Sequence, residues 1–312
     1  MTSENLFTVA AVRKSPDGKV TEYLFNESPR IFRLGPRLER DEAAVESINT
    51  VIARKTPIKI ELDPYHDQIS RIAAPSESEA REFLKARVLL EKPSKPKTID
   101  LETIDRSTFD IADYYLKNPV FALCRKTVPN YQKAKKIFDY CAKQSCALPG
   151  PYEINPCIPF QYVIDGCYAR AHKMRWIIMK KFRYCCEKVF SFANEDNDTL
   201  AVKASKWGDC CVLWWYHVAP LIRVKVKFGS CSFFLAMVID PGMFNQPVLL
   251  STWLSAQANT ACSRNANVSM YSIQPGSAYT PANYAGTQFS TDNTYAATDA
   301  TLTAYKNLVT CP

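Results

Sequence analysis

Asp165-Gly166-Cys167-Tyr168-Ala169-Arg170-Ala171-His172-Lys173-Met174 decides how this chain is read. A cysteine follows a glycine and opens a segment with helical spacing. Ala171, Met174, Ile178 and Phe182 recur on one face of it. A thiol at a helix start sees the positive end of the helix dipole, which favours the thiolate. The thiolate is the nucleophilic form. Gly166 lets backbone and substrate approach closely, and the Cys167 backbone N–H is placed to donate to an oxyanion.

Working outward, His217 lies in the strand-like run Val212-Leu213-Trp214-Trp215-Tyr216-His217-Val218. Asp240 closes the run Phe233 to Asp240, just before Pro241. These residue types suit a nucleophile, a base and a group that orients the base. Each has a plainer reading. Cys167 could be a half-cystine, His217 a core histidine, and Asp240 a turn residue before proline. The chain has three histidines. His66 sits in a polar turn with Pro64 and Tyr65 and is expected to be solvated. His172 lies about 140° around the helix from Cys167, which predicts a structural role. His217 remains as the base. Trp215 shares strand parity with His217, so it could wall a substrate channel, as could Trp207 before Gly208; core packing is the alternative for both.

The Asp165–Met174 block, with Cys210-Cys211-Val212, Tyr216-His217-Val218-Ala219 and Ile239-Asp240-Pro241, resembles the bacterial protein-glutaminases, the protein deamidases. Lys143-Gln144-Ser145-Cys146, Pro156-Cys157-Ile158 and the Tyr-, Thr- and Asn-rich C-terminus are similar to that family's mature domain, and residues before about 115 to its pro-region. The resemblance implies an α+β fold. A papain- and transglutaminase-like catalytic domain, its nucleophile helix packed on an antiparallel sheet, follows a small α/β pro-domain. It implies hydrolysis of the side-chain amide of protein-bound glutamine to glutamate and ammonia. Cys167 is then the nucleophile, His217 the base and Asp240 its orienter, with no metal or organic cofactor. The chain departs from the family pattern at Cys124, Cys141, Cys185 and Cys231, so the disulfide set is not carried over. Transglutaminases and cysteine proteases share this core and stay open as alternatives. Outside enzymes, the rival is a secreted disulfide-rich binding protein.

All twelve cysteines lie at or after Cys124, a density that favours disulfides and an oxidising compartment. No Cys-x-x-Cys spacing exists, and the adjacent pairs Cys185-Cys186 and Cys210-Cys211 chelate poorly, so no metal site is expected. Cys146–Cys157 is the best local pair, and Cys186 is expected to bridge to Cys210 or Cys211. With Cys167 set aside an odd number remains, which leaves at least one more thiol unpaired within the chain. The N-terminus lacks a positive region followed by an apolar one, so this stretch carries no secretory signal; export would use a signal removed earlier or another route. A secreted bacterial protein is expected. No apolar run of about 18 residues predicts a membrane helix.

The net charge is +8, and residues from 116 onward carry the excess. The basic residues are scattered and no nucleic-acid motif is present, which predicts a basic enzyme drawn to acidic protein substrates rather than a nucleic-acid binder. Residues 1–115 read as an α/β unit. A hairpin flanks Pro16-Asp17-Gly18, a helix spans 41–54, a strand 58–62, and a second helix 76–90 opens with a Ser76/Glu79 capping box. The linker, about 92–108, begins with Lys92-Pro93-Ser94-Lys95-Pro96-Lys97 and offers a protease target. A helix near 110–117 leads across the boundary into the second domain, residues 116–312, which has helices near 131–142, 167–182 and 249–258 and strands near 210–218, 221–228 and 232–240. Within the first domain, Asn26 to Arg30 is the candidate plug for the site, with Ser28, Pro29 and Arg30 at its centre, because Pro29 forces an edge or exposed position. The implied partners are proteins with exposed glutamine, the pro-domain in cis and an activating protease, with neither nucleic acid nor membrane.

Overall fold

Two six-stranded sheets organise the residues described by the computed structural model, 4–91, 93–98, 125–194, 197–228 and 231–312. The first sheet is made of β1 (Glu4–Phe7), β2 (Val9–Lys14), β3 (Thr21–Phe25), β4 (Ser28–Leu34), β5 (Ile58–Leu62) and β6 (Gln68–Ala73), in the order β1-β5-β6-β4-β3-β2. The hairpin read around Pro16-Asp17-Gly18 is the β2–β3 pair. Helices α1 (Pro36–Glu39) and α2 (Glu42–Arg54) follow β4, and α3 (Glu77–Ala86) follows β6. Asp41 caps α2 by accepting from Ala43 and Ala44, and the Ser76/Glu79 capping box is formed in both directions. α3 stops at Ala86, short of the expected residue 90. Leu90 instead donates its N–H to Phe289, and Val88 accepts from Thr291, around an isolated antiparallel bridge between Leu89 and Ser290.

Both faces of the first sheet are buried, and strand alternation explains how. Tyr23, Phe25 and Phe32 join Phe7, Ile48, Ile58, Ile60 and Ile69 in the N-terminal domain's own core. Leu24 and Ile31, pointing the other way, belong to the core that contains Cys167, Trp215 and Tyr216.

The later elements are β7 (Lys97–Thr98), α4 (Tyr131–Ala142), α5 (Cys167–Lys180), β8 (Glu187–Phe192), β9 (Leu200–Lys203), β10 (Cys211–Trp214), β11 (Tyr216–Phe228), β12 (Cys231–Val238), β13 (Val248–Leu249), α6 (Leu250–Ser255), β14 (Met270–Gln274), β15 (Ala278–Pro281), β16 (Phe289–Thr291) and α7 (Ala296–Tyr305). The second sheet runs β13-β12-β11-β8-β14-β7, antiparallel throughout, and α5 packs on β11 and against α7. β9 pairs with β10, and β15 with β16. The helix expected near 110–117 lies outside the described residues. The linker's Lys97 and Thr98 pair with Tyr271 and Met270 on the free edge of β14, and Ser94 donates its N–H to Gln274.

The expected strands at 210–218 and 221–228 are divided differently. The chain bends at Trp215, and β11 then runs unbroken through Pro220. A proline loses one ladder donor but keeps its acceptor. The Pro220 carbonyl takes the Ile239 N–H at 3.0 Å, so the strand continues. β11 therefore bonds β8 through 216–221 and β12 through 221–228.

Candidate active site

Gly166 precedes α5 with φ +74°, and a Cβ there would lie 2.9 Å from the Tyr305 ring. Only glycine meets both demands. It delivers Cys167 as the first residue of the helix, packed against β11. The Cys167 thiol meets the backbone of Val218, the strand neighbour of His217. His217 Nε2 is 2.9 Å from Asp240 Oδ2, in the turn that follows β12. An ionised carboxylate only accepts, so Nε2 carries the proton and Nδ1 is left as the basic nitrogen. Nδ1 has no hydrogen-bond partner. The structure thus brings all three sequence-chosen residues to one place.

Three tryptophans hold this arrangement. Trp214 stacks on the His217 ring at 4.5 Å and 8°, and Trp253 of α6 lies near it at 5.3 Å and 24°. The Trp253 indole also donates to Asp240 Oδ2 at 3.0 Å. Burial opposes charge on Asp240, but hydrogen bonds from His217 and Trp253 hold its carboxyl below the usual range. Trp207 donates its indole N–H to Gly242, bracing the turn after Asp240. Lys206 adds two bonds to the same turn, at Pro241 and Phe244.

The thiol departs from expectation. Burial pushes Cys167 up to about 12, so desolvation outweighs the helix dipole. Cys167 is 1% exposed, His217 2% and Asp240 6%. Part of the cover comes from the N-terminal domain. The Trp215 backbone N–H donates to Pro29 O at 2.8 Å, and its indole N–H to Ser28 O at 2.8 Å. Ser28 Oγ donates to Asp165 Oδ2 at 2.8 Å, two residues before the thiol. Trp215 is therefore in contact with the N-terminal segment. Arg30 turns away. Its guanidinium bonds Asp63 O, His66 O and Asp67 Oδ1, anchoring the segment inside its own domain.

His66 is exposed beside Asp63. His172 is structural: its ring nitrogens meet the buried Lys188 ammonium position at 2.7 Å and the Asp292 carbonyl at 3.0 Å. Cys146–Cys157 is bonded. The expected bridge from Cys186 to Cys210 or Cys211 is overturned. Cys210 pairs with Cys311 and Cys211 with Cys262, while Cys186 is a buried free thiol, as is Cys141. Neighbours on an extended chain point to opposite sides, so Cys210 and Cys211 reach two different C-terminal segments. Cys185 is disulfide-bonded. Among the described residues no group of three or more His, Cys, Asp or Glu is arranged to hold a metal, and no helix is long and apolar enough to cross a membrane.

Sequence reading missed Trp214, Trp253 and Asp165. Trp214 has the wrong strand parity for His217; only the bend at Trp215 turns it onto the imidazole. Asp165 stood in the quoted block, and its direct neighbour Gly166 gave the one signal for it, a helix start needing an acceptor.

A family profile described as glutaminase matches residues 134–257. Over 60% of this chain and 92% of the other, the structure is similar to that of protein-glutaminase from Chryseobacterium proteolyticum, at 34% identity and a TM-score of 0.51. The chain belongs to the protein-glutaminase family. A second solved structure, pro-protein-glutaminase, matches 99% of this chain and 95% of its own at 25% identity and a TM-score of 0.70. The similarity thus includes the N-terminal domain. No match was found among curated protein sequences. The α+β fold and the deamidase resemblance read from the sequence both agree with these findings.

Proposed function

We propose that this chain is the zymogen of a secreted protein-glutamine deamidase, with residues 1–115 as inhibitory pro-domain and 116–312 as catalytic domain. The observation that carries it is one constellation. A helix-start thiol and an imidazole with one nitrogen tied to a carboxylate and the other free meet beneath a segment of the N-terminal domain.

In the reaction, His217 Nδ1 takes the Cys167 proton and the sulfur attacks the γ-carboxamide carbon of a protein-bound glutamine. The Cys167 backbone N–H, at the helix N-terminus, faces the developing oxyanion. His217 returns the proton to the departing nitrogen, ammonia leaves, and a thioester remains. Water, deprotonated by His217, adds to the thioester carbon and releases glutamate and the thiol. Asp240 keeps the imidazole in the working tautomer. Trp207 and Trp215 line the approach. Before activation Ser28 and Pro29 occupy that approach and Arg30 anchors them. Partners are proteins with exposed glutamine, the pro-domain itself, and a protease that cuts the linker near 92–108.

The test is ammonia release and mass spectrometry of a casein-like substrate, before and after limited proteolysis of the chain. Amide-to-acid conversion at glutamine, lost in Cys167→Ser and His217→Ala and strongly reduced in Asp240→Asn, is expected after cleavage. Cross-links to lysine would indicate a transglutaminase, and new N-termini a protease. Activity retained by Cys167→Ala, or equal activity before and after cleavage, would respectively overturn the nucleophile and the inhibitory pro-domain.

A further inference from the structure

Asp165 takes no part in the proposed acylation and hydrolysis steps. It is 2% exposed and lies two residues before Cys167. Its two oxygens have different tasks. Oδ1 accepts the Gly166 N–H at 2.6 Å and so helps fix the turn into α5. Oδ2 faces the N-terminal segment and accepts from Ser28 Oγ. Ser28 is itself 1% exposed, and its main chain and that of Pro29 are held by both donors of Trp215. The segment is thus bound at its main chain by Trp215 and at one side chain by Asp165. When it leaves, Oδ2 loses that hydrogen bond, two residues before Cys167. The Arg170 guanidinium, bonded to the Asp165 backbone carbonyl, keeps a positive charge close to the carboxylate.

We propose that Asp165 Oδ2 accepts an N–H of the substrate carboxamide and so distinguishes glutamine from glutamate. This rests on the deamidase reading above. A carboxylate can only accept, and a carboxamide brings two N–H donors. The product carboxylate brings none and carries the same sign of charge. Asp165 therefore binds the substrate end of the reaction and repels its product. Sites built to hydrogen-bond a particular group reject analogues that lack it strongly, because the protein group is left unpaired.

Asp165→Asn separates this role from the structural one. Asparagine keeps an oxygen for the Gly166 N–H and replaces the outward acceptor by a donor. The full chain, folded and then cut by limited proteolysis, is assayed on a glutamine peptide, with the matching glutamate peptide as inhibitor. In Asp165→Asn, kcat/KM for the glutamine peptide should fall by about 10- to 100-fold, the scale of a hydrogen bond to a charged group. Inhibition by the glutamate peptide should become about 10-fold stronger relative to KM. A merely structural role would lower activity without moving that ratio, and this outcome overturns the inference, as does unchanged kcat/KM. If Asp165→Asn does not fold, Asp165→Ser keeps an acceptor for Gly166 without the charge and should shift the ratio in the same direction. A wild-type chain that releases no ammonia after cleavage overturns the deamidase reading, and this inference with it. An active wild type beside an unchanged ratio overturns this inference alone.

Discussion

Replacing Trp215 by phenylalanine in the uncleaved chain should loosen the cover over Cys167 without removing it. The indole N–H donates to Ser28 O at 2.8 Å, and phenylalanine deletes that donor. The Trp215 backbone bond to Pro29 O survives, and an aromatic ring still faces Phe192, Tyr216 and Tyr284. A neutral hydrogen bond contributes about 0.5–1.5 kcal/mol net. The population in which the segment has lifted off should rise by about 2- to 12-fold. If alkylation requires that opening, the labelling rate of Cys167 rises by the same factor. Iodoacetamide labelling followed by peptide mass spectrometry measures it, with the buried free thiols Cys141 and Cys186 as internal controls. An unchanged rate at Cys167 would refute the segment as the cover. Equal acceleration at all three thiols would refute it too, because it would mean general loosening of the core.

Three further outcomes follow from the same geometry. Before cleavage, alkylation of Cys167 should keep rising beyond pH 9, since burial pushes the thiol up to about 12; after cleavage, rehydration and the helix dipole should shift the profile to lower pH. Breaking Cys210–Cys311, which closes a separation of 101 residues, should cost about 4.7 kcal/mol against about 2.8 kcal/mol for Cys146–Cys157 at 11, read from the unfolding of Cys→Ser pairs. Asp240, held below its ordinary 3.8, stabilises the fold above that pH and loses the contribution as pH falls through its native value, so the gap in melting temperature between wild type and Asp240→Asn should narrow below about pH 4.

The sequence carried the parts of this fold that local rules write. The Ser76/Glu79 box, the Asp17-Gly18 hairpin and the Gly166-Cys167 helix start are each a few residues long and self-contained. Cys167, His217 and Asp240 could be picked because their types and the surrounding words are distinctive. What stayed hidden is set by tertiary contacts. Trp214 reaches His217 only through a bend, and Pro220 reads as a strand end although its carbonyl still bonds Ile239. The direction of the thiol's shift is hidden from the sequence for the same reason. A helix dipole is visible in sequence, whereas the burial that outweighs it is made by a core drawn from segments far apart in the chain, Leu24 and Ile31 among them. Cys186 shows the limit for disulfides: spacing cannot tell which side of a sheet a thiol occupies.

If the N-terminal domain is the proposed inhibitor, the way it is attached predicts how a single cut would release it. Besides the packing of Leu24 and Ile31 and the hydrogen bonds of Arg13 to Asp198 and of Tyr162 to Pro64, its main chain meets the catalytic domain in three stretches: Ser28 and Pro29 on Trp215, Val88 and Leu90 beside β16, and Lys97 and Thr98 on the edge of β14. Each is a short stretch of main-chain hydrogen bonds, contributing about 1 kcal/mol per bond. The covalent link keeps these stretches at high effective concentration, so each adds to the others. A cut after Thr98 leaves all three on one fragment, whose return becomes a bimolecular event that dilution opposes. A cut between Lys92 and Lys97 would instead leave the β7 strand on the catalytic domain and strip the inhibitor of one attachment. The second fragment should therefore rebind more weakly than the first, and inhibition in trans by the two isolated fragments, compared at equal concentration, orders them. Equal potency would mean that β7 contributes nothing to inhibition.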